Sequence, residues 1–188
     1  MPLGLLPETT RSARGEKSSR NASCAPPHWF RAAEGVRAAW PTATGPFPRT
    51  PTRGGTPAQR LGKRYEAKAL THLAETLGPP FISSQWFRFT SGSGIRFCQV
   101  DGILHEEAAT TIFEVKLRFS SDAWWQLRHL YEPVVRRAYM PKRIHLCIVC
   151  RSFDPSAPFP EPVNHLRGLN RMHLEGGGDR ISLYSWKP

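Results

Sequence analysis

The chain lacks any long apolar run. The stretch from Ile144 to Cys150 is typical of its longest, far short of the roughly 20 residues a membrane-spanning helix needs. Cysteine is scarce. Cys24, Cys98, Cys147 and Cys150 are spread unevenly over 188 positions, which excludes a disulfide-stapled scaffold. Acidic side chains are short as well: 15 Asp+Glu stand against 26 Lys+Arg, a net charge of +11. That balance favours a polyanionic partner, with nucleic acid ahead of an acidic membrane. The opening Met-Pro-Leu-Gly-Leu-Leu-Pro has no basic start followed by a long apolar stretch, so no secretory signal is expected. A reducing, cytoplasmic setting is the default. The Arg- and Ser-rich residues 11–40 make mitochondrial or nuclear targeting the alternative, against which stand Glu8, Glu16 and Glu34.

What is plentiful is unevenly placed. Half of the 18 prolines precede residue 58, and residues 1–57 hold eight Arg/Lys against three Glu. Such a segment buries too little apolar surface to offset its ordering entropy, so residues 1–57 are expected to be a poorly ordered basic arm. Within it Trp29, Ala33, Val36 and Trp40 recur at helical spacing, which suggests a short amphipathic helix. The arm is a candidate for clamping DNA, docking a partner protein or joining a homodimer.

From residue 58 the segments alternate in type. Ala58 to Leu77 reads as a helix stopped by Gly78-Pro79-Pro80, and Phe81–Thr90, Ile95–Leu104 and Thr110–Leu117 read as three strands. A helix follows from Asp122 to Tyr139, capped by Ser120 or Ser121 and kinked at Pro133, then a buried strand from Ile144 to Cys150. Residues 151–178 read as loop, and Ile181–Trp186 as a last edge strand. This is an α/β domain over 58–188 in the order αβββαβ, with no internal repeat.

The chemistry concentrates in the second and third strands. A hairpin turn centred between Glu107 and Ala108 sets Asp101 opposite Glu114, with Lys116 on the same face two residues on. Val100, Leu104, Phe113, Val115 and Leu117 take the other, apolar face. Like charges directly opposed across strands repel. A divalent cation such as Mg²⁺, with Mn²⁺ as substitute, would resolve that repulsion, and Lys116 would orient water or steady a growing phosphate charge. On the first helix, Glu66 falls inside the stripe formed by Tyr65, Ala69, Leu70, Leu73 and Leu77, a costly place for a carboxylate unless it is paired or metal-bound. Gly62 falls within that stripe too, where it would allow close approach to the sheet. A Glu-x-Lys alone is usually a solvated pair; the opposed Asp101 and the apolar reverse face separate this one from that common case.

The segments Gln99-Val100-Asp101-Gly102-Ile103 and Ile112-Phe113-Glu114-Val115-Lys116, with Glu66 in Gly62-Lys63-Arg64-Tyr65-Glu66 on a preceding helix, resemble the PD-(D/E)xK nuclease superfamily. The resemblance covers about residues 58–150. It implies a restriction-endonuclease-like αβββαβ core with a mixed central sheet, a Mg²⁺-dependent nuclease activity and DNA as partner. It assigns Asp101 and Glu114 as metal ligands, Glu66 as an accessory acid and ligand, and Lys116 as the catalytic lysine. Val100 stands where the family name has Pro. Some exonuclease-type members, like the RecB nuclease domain, carry a Gln and a Tyr on the second helix; Gln126 and Tyr131 are one residue further apart than that pattern. On the same helix Trp124, Leu127, Tyr131, Val134, Val135 and Ala138 share one stripe. Off it lie Trp125, Arg128, Arg136 and Arg137, the arginines being candidate phosphate contacts together with Gln126.

Other signals carry less. Cys147 and Cys150 sit three apart in a strand and so point to opposite faces, which rules out a shared metal. Asn164, His165, Asn170 and His173 lack the frame of a His-Asn-His nuclease, and Gly176-Gly177-Gly178 has no helix after it to form a phosphate loop.

Overall fold

The computed structural model describes residues 33, 35–45, 55–107, 109–154, 159, 161–169 and 181–188. Seven strands form one mixed sheet: β1 (Ala38–Thr42), β2 (Phe81–Ser91), β3 (Gly94–His105), β4 (Thr110–Arg118), β5 (Ile144–Ser152), β6 (Val163–Leu166) and β7 (Ile181–Ser185). Their spatial order is β1-β2-β3-β4-β5-β7-β6. β1 to β4 are antiparallel neighbours, whereas β4, β5, β7 and β6 run parallel. The protein is therefore α/β. Parallel neighbours need a crossover, and between β4 and β5 it is α2 (Ser121–Gln126), a π-helical turn (Leu127–Tyr131) and α3 (Glu132–Tyr139). Among the described residues no helix is long and apolar enough to cross a membrane.

Helix α1 (Pro57–Leu77) starts at a capping box: Gln59 N–H donates to Thr56 Oγ1 at 3.2 Å, and Thr56 N–H donates to Gln59 Oε1 at 2.8 Å. It ends at Gly78, whose φ of 76° suits glycine. Tyr65, Ala69, Leu70, Leu73 and Leu77 pack with Phe81, Leu104, Phe113, Val115, Cys147 and Val149 on one face of the sheet. The opposite face packs Phe87, Phe89, Cys98, Val100, Ile103, Ile112, Ile148 and Cys150 beneath Leu127, Tyr131, Val134 and Val135. Cys147 and Cys150 thus do lie on opposite faces, both as buried free thiols.

Several local expectations are corrected. Ala38–Thr42 is a strand, not the end of an amphipathic helix, and it brings residues upstream of 58 into the sheet; Trp29 lies outside the described residues. β1 is an edge strand, the position in a sheet that tolerates its Pro41. A short strand, β6, lies within the expected loop and forms the far edge, so β7 is interior. Ser120 is the N-cap residue of α2, but its side chain makes no capping bond. No atom lies within 4 Å of a Cβ built on Gly62, so that glycine serves no close approach to the sheet. Instead of a simple kink at Pro133, the helix contains the π turn, and Pro133 sits in the first turn of α3. Proline cannot donate to the carbonyl four residues back. That carbonyl, of His129, accepts instead from the Ala33 N–H at 2.7 Å, which ties the N-terminal segment to the helix.

Candidate active site

The β3–β4 register pairs Gly102 with Phe113, Ile103 with Ile112, Leu104 with Thr111 and His105 with Thr110. The same alignment sets Asp101 against Glu114, but ladder pairing stops at Gly102. Beyond it the strands splay, and the Asp101 carboxylate occupies the gap, accepting from the Val115 N–H at 2.8 Å. The β2 side is interrupted too. Ser83↔Gly102 and Gln85↔Val100 bracket Ser84, whose φ is 56°, in the left-handed region. Both strands change faces across this point: Phe81 and Leu104 lie under α1, whereas Phe87, Cys98 and Val100 lie under α3. Val100 therefore does not share a face with Leu104, Phe113 and Val115, as strict alternation predicts. Gly102 allows the passage. A Cβ there would meet the Phe81 ring at 2.7 Å.

Glu114 is 1% exposed, so the face that carries it is core rather than open surface. Its Oε1 pairs with Lys116 Nζ, while its Oε2 is buried without a hydrogen-bond partner. Burial, and then the charge of Glu114, push the Asp101 carboxyl well above the usual carboxylate range. Burial likewise raises Glu114, against the pull of Lys116. Burial alone would lower Lys116, but Glu114, Asp101 and Glu66 outweigh it and hold its pKa above the ordinary value. Lys116 is thus an ammonium in the metal-free protein, suited to orienting water and stabilising negative charge rather than accepting a proton.

Glu66 is half-buried on α1, and its charge acts on both Glu114 and Lys116. It is not gathered with them into a ligand set: among the described residues no group of three or more His, Cys, Asp or Glu is arranged to hold a metal. Two desolvated carboxylates nevertheless fit a hard cation that retains several waters, and the partnerless Glu114 Oε2 is an oxygen such an ion would satisfy.

The π turn supplies what strict helical spacing missed. A π turn closes i→i+5 bonds, so it absorbs one extra residue and brings Gln126 and Tyr131, five apart, toward a common face. Tyr131 is buried, and burial, Glu114 and Asp101 raise its phenol well above the usual value, so it remains a donor beside the carboxylates. Gln126 Oε1 is buried with no hydrogen-bond partner. The arginines are differently occupied. Arg128 bonds Glu161 at 2.9 Å and Glu132 at 3.1 Å, Arg136 bonds Glu132 at 2.8 Å, and Arg137 Nε donates to the Arg37 carbonyl at 2.7 Å. With His129, Glu132 and Met140 they line a cavity of about 610 Å³ that none of Glu66, Asp101, Glu114 or Lys116 borders. Their ion pairs and backbone contact hold α3 and its neighbours together, so the expected phosphate contacts lie apart from the carboxylates.

No protein-family model, no curated protein and no solved structure matches the chain.

Proposed function

We propose that the protein is a metal-dependent deoxyribonuclease on a restriction-endonuclease-like αβββαβ core. The observation that carries this reading is the buried Asp101–Glu114 pair at a strand splay, with Lys116 bound to one oxygen of Glu114 and the other oxygen left without a partner. Burying two adjacent carboxylates without compensation is costly. Lys116 and the Val115 N–H compensate part of that cost, and a cation would compensate the rest.

Asp101 and Glu114 would hold Mg²⁺, with Glu66 close enough to add negative charge. A bound Mg²⁺ supplies Lewis acidity toward a phosphate oxygen and lowers the pKa of a coordinated water. The Val115 N–H fixes the Asp101 carboxylate, and Glu114 fixes the Lys116 ammonium. Lys116 would position water and offset the charge that grows on the phosphoryl oxygens. Tyr131 is buried beside the carboxylates, with its phenol kept protonated by burial and by their charge. The π turn, which brings Gln126 toward the face of Tyr131, favours the exonuclease-type pattern within the PD-(D/E)xK resemblance.

Incubating the protein with linear and closed circular DNA, in Mg²⁺ or Mn²⁺ and then in EDTA, tests the reading. Metal-dependent cleavage restricted to linear DNA supports an exonuclease, and cutting of circles supports an endonuclease. Cleavage of RNA alone replaces the substrate. DNA binding without cleavage returns the protein to a DNA-binding or assembly subunit on this fold.

A further inference from the structure

The sheet carries a second surface outside the carboxylate site. Pairing aligns Trp40, Arg88 and Phe97 in one cross-strand row of β1–β3. The adjoining rows are Thr42, Trp86, Gln99 and Ala38, Thr90, Ile95. Opposed residues share a face, and the alternate residues Phe87, Phe89 and Cys98 enter the core, so these rows look outward. Trp40 is 48%, Phe97 37% and Ile95 56% exposed. Single exposed apolar residues are ordinary; three in adjoining rows, two of them aromatic, form a patch that asks for a partner.

Charge selects the partner. Among the described residues β1, β2 and β3 place Arg88 on this face and carry a single carboxylate, Asp101 at the splay, while Arg96, opposed to Phe89, lies on the other face. The Arg88 guanidinium lies over the Trp40 ring, 5.8 Å from its centroid, and no carboxylate of the described residues pairs with it. Exposed ring faces beside an uncompensated guanidinium, with no acid among them, complement an unpaired nucleic-acid strand: bases stack on the rings and phosphates meet the arginine. In a duplex the base faces are already stacked on one another, and a flat sheet face does not enter a groove.

We propose that the outer face of β1–β3 binds single-stranded DNA, with bases stacked on Trp40 and Phe97 and a phosphate held by Arg88. β3 leads from this platform to the candidate active site. Asp101 lies four residues beyond Phe97, about 14 Å at the rise of a strand. The platform faces away from α3 whereas Glu114, between Phe113 and Val115, faces toward it, so a bound strand reaches the carboxylates through the splay, where β3 changes face. The proposal deepens the nuclease reading by naming the form of its substrate, and rests on that reading for the cleavage but not for the binding.

The test is fluorescence anisotropy of the full chain in EDTA, with labelled oligo-dT, a duplex of equal length and oligo-rU. Oligo-dT is expected to bind at least about tenfold more tightly than duplex. Trp40→Ala and Phe97→Ala should each weaken it by roughly tenfold, the scale of one lost base stack, without a change in melting temperature. Arg88→Gln, which leaves the rings in place, should weaken binding and reduce its salt dependence by about one charge. Equal affinity for duplex, wild-type binding by the aromatic and Arg88 variants, or binding of oligo-rU alone overturns the proposal. So does a homodimer that Trp40→Ala dissociates while oligo-dT binding stays unchanged, since the face would then join two copies. Intact oligo-dT binding without Mg²⁺-dependent cleavage would remove the nuclease reading and leave this one. Cleavage of single strands that survives Trp40→Ala/Phe97→Ala undiminished would do the reverse.

Discussion

Replacing Asp101 with Asn should make the metal-free protein more stable at pH 8 while abolishing cleavage. Asp101 and Glu114 meet across the splay, where the charge of Glu114 acts directly on the Asp101 carboxyl. Two unit charges at about 5 Å repel by about 3 kcal/mol at an effective dielectric of about 20. Lys116, bound to Glu114, offsets part of this. Asn still accepts from the Val115 N–H but loses the charge-assisted share of that bond, about 1 kcal/mol. The net gain is about 1–2 kcal/mol, or roughly 2–8 °C in melting temperature for a chain of this size. The sign of the pH dependence follows from the raised Asp101 carboxyl. The unfolded chain releases that proton near pH 4, whereas the folded chain holds it longer. Wild-type stability is therefore full below the unfolded pKa and declines as pH rises through the folded one. Thermal melts in EDTA from pH 4 to 9 should show the two proteins converging at low pH and the variant ahead at high pH. Adding Mg²⁺ to about 100 times its dissociation constant should raise the wild type by about 2.7 kcal/mol and the variant by none. A variant less stable at pH 8, a gap independent of pH, or equal Mg²⁺ stabilisation of both would refute the reasoning.

Lys116→Met leaves Glu114 buried and uncompensated, and should cost about 2–4 kcal/mol, somewhat below a fully buried pair because Lys116 keeps 30% of its side chain exposed; Lys116→Met/Glu114→Gln should recover most of it in urea denaturation. Gly102→Ala drives a Cβ into the Phe81 ring, which is pinned edge-on to Phe113 with centroids 5.7 Å apart. It should destabilise by about 1–3 kcal/mol, with partial rescue by Phe81→Leu. Tyr131→Phe keeps the ring packing and removes only the hydroxyl; stability should change by less than about 1 kcal/mol while cleavage falls by about tenfold or more, measured as kcat/KM on labelled DNA.

The heart of the site was readable because a hairpin constrains its own register. Once the turn is placed at Glu107 and Ala108, alternation alone sets Asp101 against Glu114 and Lys116 beside it, and the observed pairs from Gly102↔Phe113 to His105↔Thr110 follow that alignment. Alternation could not reveal the change of face, which depends on the left-handed Ser84 and on close approach at Gly102. A glycine inside a strand is the one sequence signal of such a point. The π turn at Leu127–Tyr131 has no periodic signal in the sequence, because one extra residue in a helix leaves the apolar stripe on either side of it intact. β1 escaped because Trp29, Ala33, Val36 and Trp40 fit a helical period by spacing, while Pro41 argued against any strand except an edge one. β6 is four residues of mixed polarity, too short for periodicity to register.

The central claim is tested most directly by measuring DNA hydrolysis with and without Mg²⁺ for the wild type, Asp101→Ala and Lys116→Ala, each checked for folding by circular dichroism. The wild type should cleave in Mg²⁺ and stop in EDTA, and both variants should lose at least about a hundredfold in rate. Cleavage that persists in EDTA or in folded Asp101→Ala, or a folded wild type with no metal-dependent cleavage of any DNA form, would contradict it.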